Sequence, residues 1–304
     1  MSLLIERSGA MASLQDGGRF GVRHLGVTQG GAADWVSQAW ANWLLGNPLQ
    51  AATIEITLGS FVLLAEADSC LALCGADLSA SLDDQPLEPG RSFTIRKGQR
   101  LAFAQPRQGV RAYLAAPGGF AAPQMMDSCA TVRREALGGL HGDGEPLKMG
   151  DRLTWRGTAP APRTLDSSLA TPLSGPDPLQ VVLGAQIGDF SGRSLFDAFN
   201  SEWTVDQRAD RMGIRLLGPA LRSSRQSMIS EGVPLGAIQV PPDGQPIVLL
   251  NDRQTIGGYP RLGALTPFAV ARLAQCMPGT TLQLQPTALE AAQRQQRKLL
   301  AYWR

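Results

Sequence analysis

The sequence predicts a mainly β protein built as two strand-rich lobes, with a few short helices and a helix at its C-terminal end. Three observations carry that prediction. Short apolar or alternating runs recur along the chain, several bounded by Gly, Pro, Asp or Asn. Glycine at 34 and proline at 21 provide many turns. The few helical patterns do not alternate with the strand-like runs, which argues against a doubly wound α/β sheet. The absence of a short-period internal repeat argues against a solenoid or a propeller.

Taken in order, the first lobe opens on short strands and is interrupted by one helix. Asp34 is a good N-cap, Trp35 to Leu45 carry apolar residues at helical spacing, and Gly46 stops the helix before Asn47-Pro48. Residues 60–67, 69–76, 92–98, 99–106 and 110–119 then read as strands, with turn chemistry in LDDQPLEPG at 82–90. The second lobe repeats the style in residues 179–185, 237–241, 245–252 and 280–286. Thr266-Pro267 caps a helix running through FAVARLAQCM to Pro278-Gly279. Thr287, with Glu290 three residues later, is expected to cap the final helix as a capping box. That helix should face solvent over a stripe of Leu289, Leu299, Leu300 and Trp303.

Residues 157–178, GTAPAPRTLDSSLATPLSGPDP, have the composition of a linker and no apolar period. The expected organisation is therefore a β-rich lobe at 1–156, a linker at 157–178, a second β-barrel lobe at 179–286 and a helix at 287–304. Lys+Arg at 28 against Asp+Glu at 26 leaves a net charge of +2. Such a balance argues against a nucleic-acid or membrane-surface partner. No apolar run nears the roughly 18 residues of a membrane span, and the first residues lack a signal-type apolar stretch. The expectation is a cytoplasmic protein. The four cysteines are scattered and only two histidines exist, so the expectation is reduced core thiols and no metal.

Four segments offer chemistry. Gln15-Asp16-Gly17-Gly18-Arg19-Phe20-Gly21 flanks close-approach glycines with a carboxylate and a guanidinium, or is simply a tight turn with an ion pair. Gly30-Gly31-Ala32-Ala33-Asp34 enters the first helix as an anion site or as a plain cap. Arg208, Arg211, Arg215, Arg222 and Arg225 form either a patch for an acidic metabolite or phosphate, or a solvated strand face. The fourth is the richest. Glu231-Gly232-Val233, Gly236 to Pro241 and Asn251 to Pro260 gather amide, carboxylate and hydroxyl groups at strand ends, as a small amide-bearing ligand requires. Phosphate-loop, dinucleotide-loop and serine-hydrolase elbow motifs are missing, as is an Ala-Met-Lys-Met segment for covalent biotin.

The fourth segment, QDGGRFG and the helix stretch AxWANWLLGN together resemble the carboxyltransferase-type family of KipA, allophanate hydrolase subunit 2 and the C subunit of 5-oxoprolinase. The resemblance covers nearly the whole chain. It runs through Ala41-Asn42, Gly46-Asn47, Glu55 to Gly59, Gly75-Ala76, Arg111 to Ala115 and Gly118-Gly119. It continues through Gly138-Gly139-Leu140, Gly150-Asp151 and Arg211-Met212-Gly213 to the run from Gly236 to Pro260. It departs at Asp127-Ser128-Cys129-Ala130-Thr131, where the family usually has Gly-Ser-x-Ser-Thr. It departs again at His141 and Asp143, where Gly and Arg are commoner. Both departures bear on substrate choice.

The resemblance implies two cyclophilin-like β-barrel lobes. It implies one subunit of an ATP-dependent 5-oxoprolinase, converting 5-oxoproline, ATP and water to glutamate, ADP and phosphate. It implies a KipI-like (allophanate hydrolase subunit 1-like) partner, a further LamB/YcsF-type subunit, and ATP with Mg²⁺ in a site shared with those partners. A lactam carbonyl is protected by amide resonance, and phosphorylation of its oxygen would activate it. In this reading Asp16, Asn42, Asp252, Gln254 and Tyr259 are the catalytic candidates. Arg19, Arg211, Arg215, Gln239, Thr255, Gly257 and Gly258 are candidates for substrate or anion binding. Two alternatives follow from the same family: a biotin-dependent carboxyltransferase component acting on urea or a related amide, and a KipA-like antagonist of a kinase inhibitor.

Overall fold

The computed structural model describes residues 1–9, 11–158, 160–166, 177–225 and 228–303, and these fall into two compact units. The first is formed by Met1–Gly21 and the chain from Gly30 to the linker; the second by Val22–Gln29 and the chain after the linker. The eight residues from Val22 to Gln29 thus leave the lobe that surrounds them in sequence. Among the described residues no helix is long and apolar enough to cross a membrane.

The first unit holds a six-stranded and a five-stranded sheet, both antiparallel. In the six-stranded sheet the order is Arg152–Thr154, Ser2–Arg7, Phe61–Ala65, Arg100–Phe103, Ser81–Leu82 and Gln85–Pro86. The five-stranded order is Ala12–Gln15, Thr53–Thr57, Gln108–Ala115, Ser69–Asp77 and Arg91–Ile95. Alternation explains the packing: in Phe61–Ala65 every second side chain is buried. Leu3, Ile5, Leu14, Ile54, Ile56, Phe61, Leu63, Leu71, Leu101 and Phe103 join one core. The turn between Ser81–Leu82 and Gln85–Pro86 has positive φ at Asp83 (45°) and Asp84 (66°), the two-residue geometry that matches strand twist.

Helix α1, Trp35–Leu44, packs on the strands Ser69–Asp77 and Gln108–Ala115. Asp34 caps it as expected, accepting from Ser37 N (3.0 Å) and Ser37 Oγ (2.5 Å). A buried network anchors that end to the sheet. Asp34 N donates to Tyr113 Oη (2.7 Å), Tyr113 Oη donates to Glu55 Oε2 (2.8 Å), and Ala33 N donates to the same oxygen (2.9 Å). Arg111 Nε lies 3.7 Å from the other Glu55 oxygen. Burial, then Glu55 and Asp34, push the Tyr113 hydroxyl well above the usual tyrosine range, so it remains a donor.

The second unit is built on an eight-stranded sheet. Its order is Thr281–Leu282, Trp203–Val205, Gly213–Leu217, Ile247–Leu249, Ala237–Gln239, Arg261–Leu265, Leu179–Leu183 and Leu284–Thr287. The two strands at the ends of that order are separated in sequence by Gln283 alone, which draws the sheet's edges together into a nearly closed barrel. Most neighbours are antiparallel; Leu179–Leu183 and Leu284–Thr287 run parallel. Leu179, Val181, Trp203, Ile214, Leu216, Ile238, Val248, Leu262 and Leu273 fill its core.

Three helices accompany this sheet. α2, Gly192–Asn200, was not expected from the sequence; its N-cap Ser191 accepts from Ser194 N. Its nine residues open on glycine and bury only Ser194, Asp197 and Ala198, too little apolar pattern to read. α3, Pro267–Leu273, is capped by Thr266 as expected, but it ends before Gln275-Cys276-Met277. α4, Leu289–Ala301, corrects the expected capping box. Thr287 is the last residue of a strand, paired with Val182, and the N-cap is Ala288 without a side-chain bond. The expected apolar stripe is also shifted: Leu289 and Leu300 are exposed, and Ala292 is the buried contact.

The linker is less detached than its composition suggests. Leu165 N donates to Gly90 O (2.7 Å), Ser92 N to Arg163 O (2.8 Å), and Thr164 bridges Arg91. Arg163–Leu165 thereby cover the edge strand Arg91–Ile95. Residues 159 and 167–176 of the expected linker lie outside the described residues.

Candidate functional site

In the first unit, the turn after the strand Ala12–Gln15 meets the loop 125–131. Asp16 Oδ1 accepts from Gly18 N (2.8 Å) and Ser128 Oγ (2.7 Å), and Oδ2 accepts from Cys129 N (2.8 Å). Arg19 is fully buried and reaches the same loop. Its Nε donates to Met125 O (3.1 Å), Nη1 to Ala130 O (2.8 Å) and Nη2 to Ser128 O (3.4 Å). Gly138 makes room for this clasp. Its φ is +68°, and a Cβ there would lie 2.1 Å from Ala130 O and 2.6 Å from Arg19 Nη2. Asn42, also fully buried, donates to Leu49 O (3.1 Å) and Ala51 O (2.9 Å) and accepts from Asn47 Nδ2 (2.9 Å).

Asp16 lines a pocket of about 390 Å³, and Asn42 holds the carbonyl of its neighbour Ala51. Asp16, Ala52, Phe120 and Cys129 line it deep down, and Gln50, Gln124 and Asp127 are its exposed polar groups. Burial, then the Asp16 carboxylate, push the Cys129 thiol up to about 12, so it is a neutral wall. All four cysteines are free thiols, as the sequence suggests. Met126 and Asp127 both have left-handed backbone, φ 54° and 61°. Asp at 127 tolerates this region, which glycine would enter at no steric cost.

In the second unit, the segment 250–255 follows the strand Ile247–Leu249. Leu250 N donates to Met212 O and Asp252 N to Arg211 O, both at 2.9 Å. Asp252 receives a bidentate fork: Arg211 Nε to Oδ2 (3.0 Å) and Nη2 to Oδ1 (2.9 Å). Gln254 and Thr255 enter chiefly through their carbonyls, which accept from Arg23 Nη2 at 3.5 and 3.0 Å. Gln239 is buried beside Gly257, where a Cβ would lie 2.5 Å from Gln239 Nε2. A Cβ on Gly258 would lie 2.8 Å from Met228 O. Tyr259 is exposed.

Four of the five arginines in the stretch form ion pairs. Arg208 holds Asp206, Arg211 holds Asp252, Arg215 holds Asp243 and Arg225 holds Asp189. The forks of these four are engaged by carboxylates on their own unit, which favours the reading of an ion-paired face over that of a free anion patch.

Two arginines outside that patch were missed by sequence reasoning. Arg23 lies on a short 3-10 turn, Arg23–Leu25, and its Nη2 donates to Val233 O at 2.6 Å. Arg253 is buried, and its Nε donates to the same oxygen at 3.1 Å. Arg253 Nη1 donates to Leu250 O (3.1 Å) and Nη2 to Gln29 Oε1 (3.3 Å). Arg253 lies within the run Asn251 to Pro260, which drew attention through its amide, carboxylate and hydroxyl groups, and Arg23 lies far from it in sequence, so only the fold could join them.

A mainly β chain of two units, with close-approach glycines and polar strand ends, has the architecture of a carboxyltransferase-type domain. The chain belongs to that family: the model of the carboxyltransferase domain, subdomain A and B, matches residues 25–286. It is 38% identical over 293 residues to the 5-oxoprolinase C subunit of Escherichia coli (strain K12), covering 95% of this chain and 93% of that protein. It is 34% identical to the 5-oxoprolinase C subunit of Haemophilus influenzae, covering 94% of this chain and 92% of that one. Among solved structures, the Kluyveromyces lactis urea carboxylase superposes with a TM-score of 0.91 at 26% identity, covering 99% of this chain but 29% of that one.

Proposed function

We propose that this chain is a subunit of an ATP-dependent 5-oxoprolinase, acting with a KipI-like subunit and a LamB/YcsF-type subunit. One observation carries the reading. The chain aligns nearly end to end with two proteins named as the C subunit of 5-oxoprolinase, whereas it matches a minor part of the urea carboxylase. The urea-directed alternative has weaker support for the same reason.

In this reading the pocket around Asp16 receives the five-membered lactam, whose C=O and N–H match the side-chain amides of Gln50 and Gln124. Asp16, Arg19 and Asn42 act as positioning residues, because their polar atoms hold the loops that form the walls. ATP would supply the phosphoryl group that makes the lactam carbonyl a usable electrophile. Among the described residues no group of three or more His, Cys, Asp and Glu side chains could hold a metal ion.

Asp127 gives the pocket assignment a test. Its exposed carboxylate borders the pocket, and 5-oxoproline is an anion. Repulsion at such a surface is of order 1 kcal/mol or less. Asp127→Gly, which also suits the left-handed backbone, should lower the KM for 5-oxoproline about two- to fivefold with kcat unchanged. A KM that stays or rises would remove the substrate from this pocket.

A further inference from the structure

We infer that Arg23 and Arg253 form an oxyanion-binding site at the end of the strand Ile247–Leu249, taking a carboxylate or phosphoryl group. The two guanidinium groups meet on one acceptor, Val233 O, at 2.6 and 3.1 Å. Two cations in contact need a counter-charge, and a carbonyl offers only a dipole. The carboxylate that acts on Arg253 is Asp252, and it already holds the Arg211 fork through both oxygens. Arg23 keeps a donor to spare: its Nη1 is buried without an acceptor. Gln239 borders the same loop, 3% exposed, and its Nε2 is likewise buried without an acceptor.

The electrostatics agree with this geometry. Burial lowers Arg23, and burial followed by the neighbouring Arg23 lowers Arg253 to about 9, which leaves Arg253 a cation at neutral pH. A buried donor without an acceptor beside paired positive charge is the chemistry that recognises an oxyanion. Arg211 and Arg215, the anion ligands expected from the sequence, spend their forks on Asp252 and Asp243. The anion contact therefore moves to Arg23 and Arg253, whose forks hold no carboxylate among the described residues.

The oxyanion itself follows from the residues; its identity as substrate carboxylate or nucleotide phosphate rests on the 5-oxoprolinase reading. The test is thermal unfolding and calorimetric titration of the full chain with inorganic phosphate and with 5-oxoproline. Sodium chloride at equal ionic strength is the control. At least one anion should raise the midpoint above the chloride control. Arg23→Gln, checked for an unchanged circular dichroism spectrum, should weaken that binding roughly tenfold or more, the loss of a charged hydrogen bond. Gln239→Leu, which keeps the volume and removes the amide donor, should weaken it several-fold and serves if Arg23→Gln folds poorly. A phosphate response assigns the site to a phosphoryl group, whereas a 5-oxoproline response that both substitutions weaken assigns it to the substrate carboxylate and removes the lactam from the Asp16 pocket. No stabilisation beyond chloride would overturn the site. So would phosphate stabilisation that ignores both substitutions, although the proposed function would then stand.

Discussion

Asp206 shows how single groups in this chain are tuned by near neighbours. Its carboxylate accepts Arg208 Nε (3.0 Å), Nη2 (2.8 Å) and the Arg208 backbone N–H (2.8 Å). The Arg208 side-chain bonds are the largest cause of a carboxyl held at about 2 instead of 3.8. A carboxylate lowered in the fold stabilises it above the unfolded value and loses that contribution as pH falls through the folded one. Asp206→Asn should therefore lower the unfolding midpoint at pH 7, and the deficit should close between pH 3.8 and about pH 2. A deficit that persists undiminished at pH 2 would show that packing, not charge, was lost. Legibility in the sequence was uneven at this scale. Asp34 announced its cap because Asp before an apolar period is a local signal. Arg23 announced nothing, since its partners Val233, Gln254 and Thr255 are brought to it by the fold.

At the scale of elements, α1 and the sheet behind it are joined by Tyr113, which receives from Asp34 N and donates to Glu55. Tyr113→Phe keeps the ring's packing but leaves a buried N–H and a buried carboxylate each one bond short. The expected cost is about 2 kcal/mol, read as a lower denaturant midpoint at unchanged slope. A cost near zero would mean the network relaxes around the change. Strands were legible wherever alternation met turn residues, as in Phe61–Ala65. The interruption of residues 280–286 at Gln283 was not, although it is what brings the barrel's edges together. The capping box at Thr287 misled because a parallel pairing with Leu179–Leu183 claimed that residue for a strand. Local capping preferences yield to strand pairing when the pairing satisfies more backbone groups.

For the whole molecule, the mainly β class followed from the density of turns and short apolar runs. The excursion of Val22–Gln29 into the second unit did not. Nothing in a linear reading marks eight residues as belonging elsewhere, and yet they carry Arg23 and Gln29 to Arg253 and its loop. The candidate residues likewise sorted by physics that sequence does not display. Asp16, Arg19 and Asn42 turned inward to hold loops, and Arg211 and Arg215 found carboxylates. The central claim concerns the assembly. Its most direct test is glutamate release from 5-oxoproline and ATP by this chain co-purified with its two proposed partners, each omitted in turn. Glutamate and phosphate appearing together, indifferent to avidin and lost when this chain is withheld, is the predicted result. A well-assembled complex that releases no glutamate, or that fixes bicarbonate onto an amide in an avidin-sensitive reaction, would contradict it.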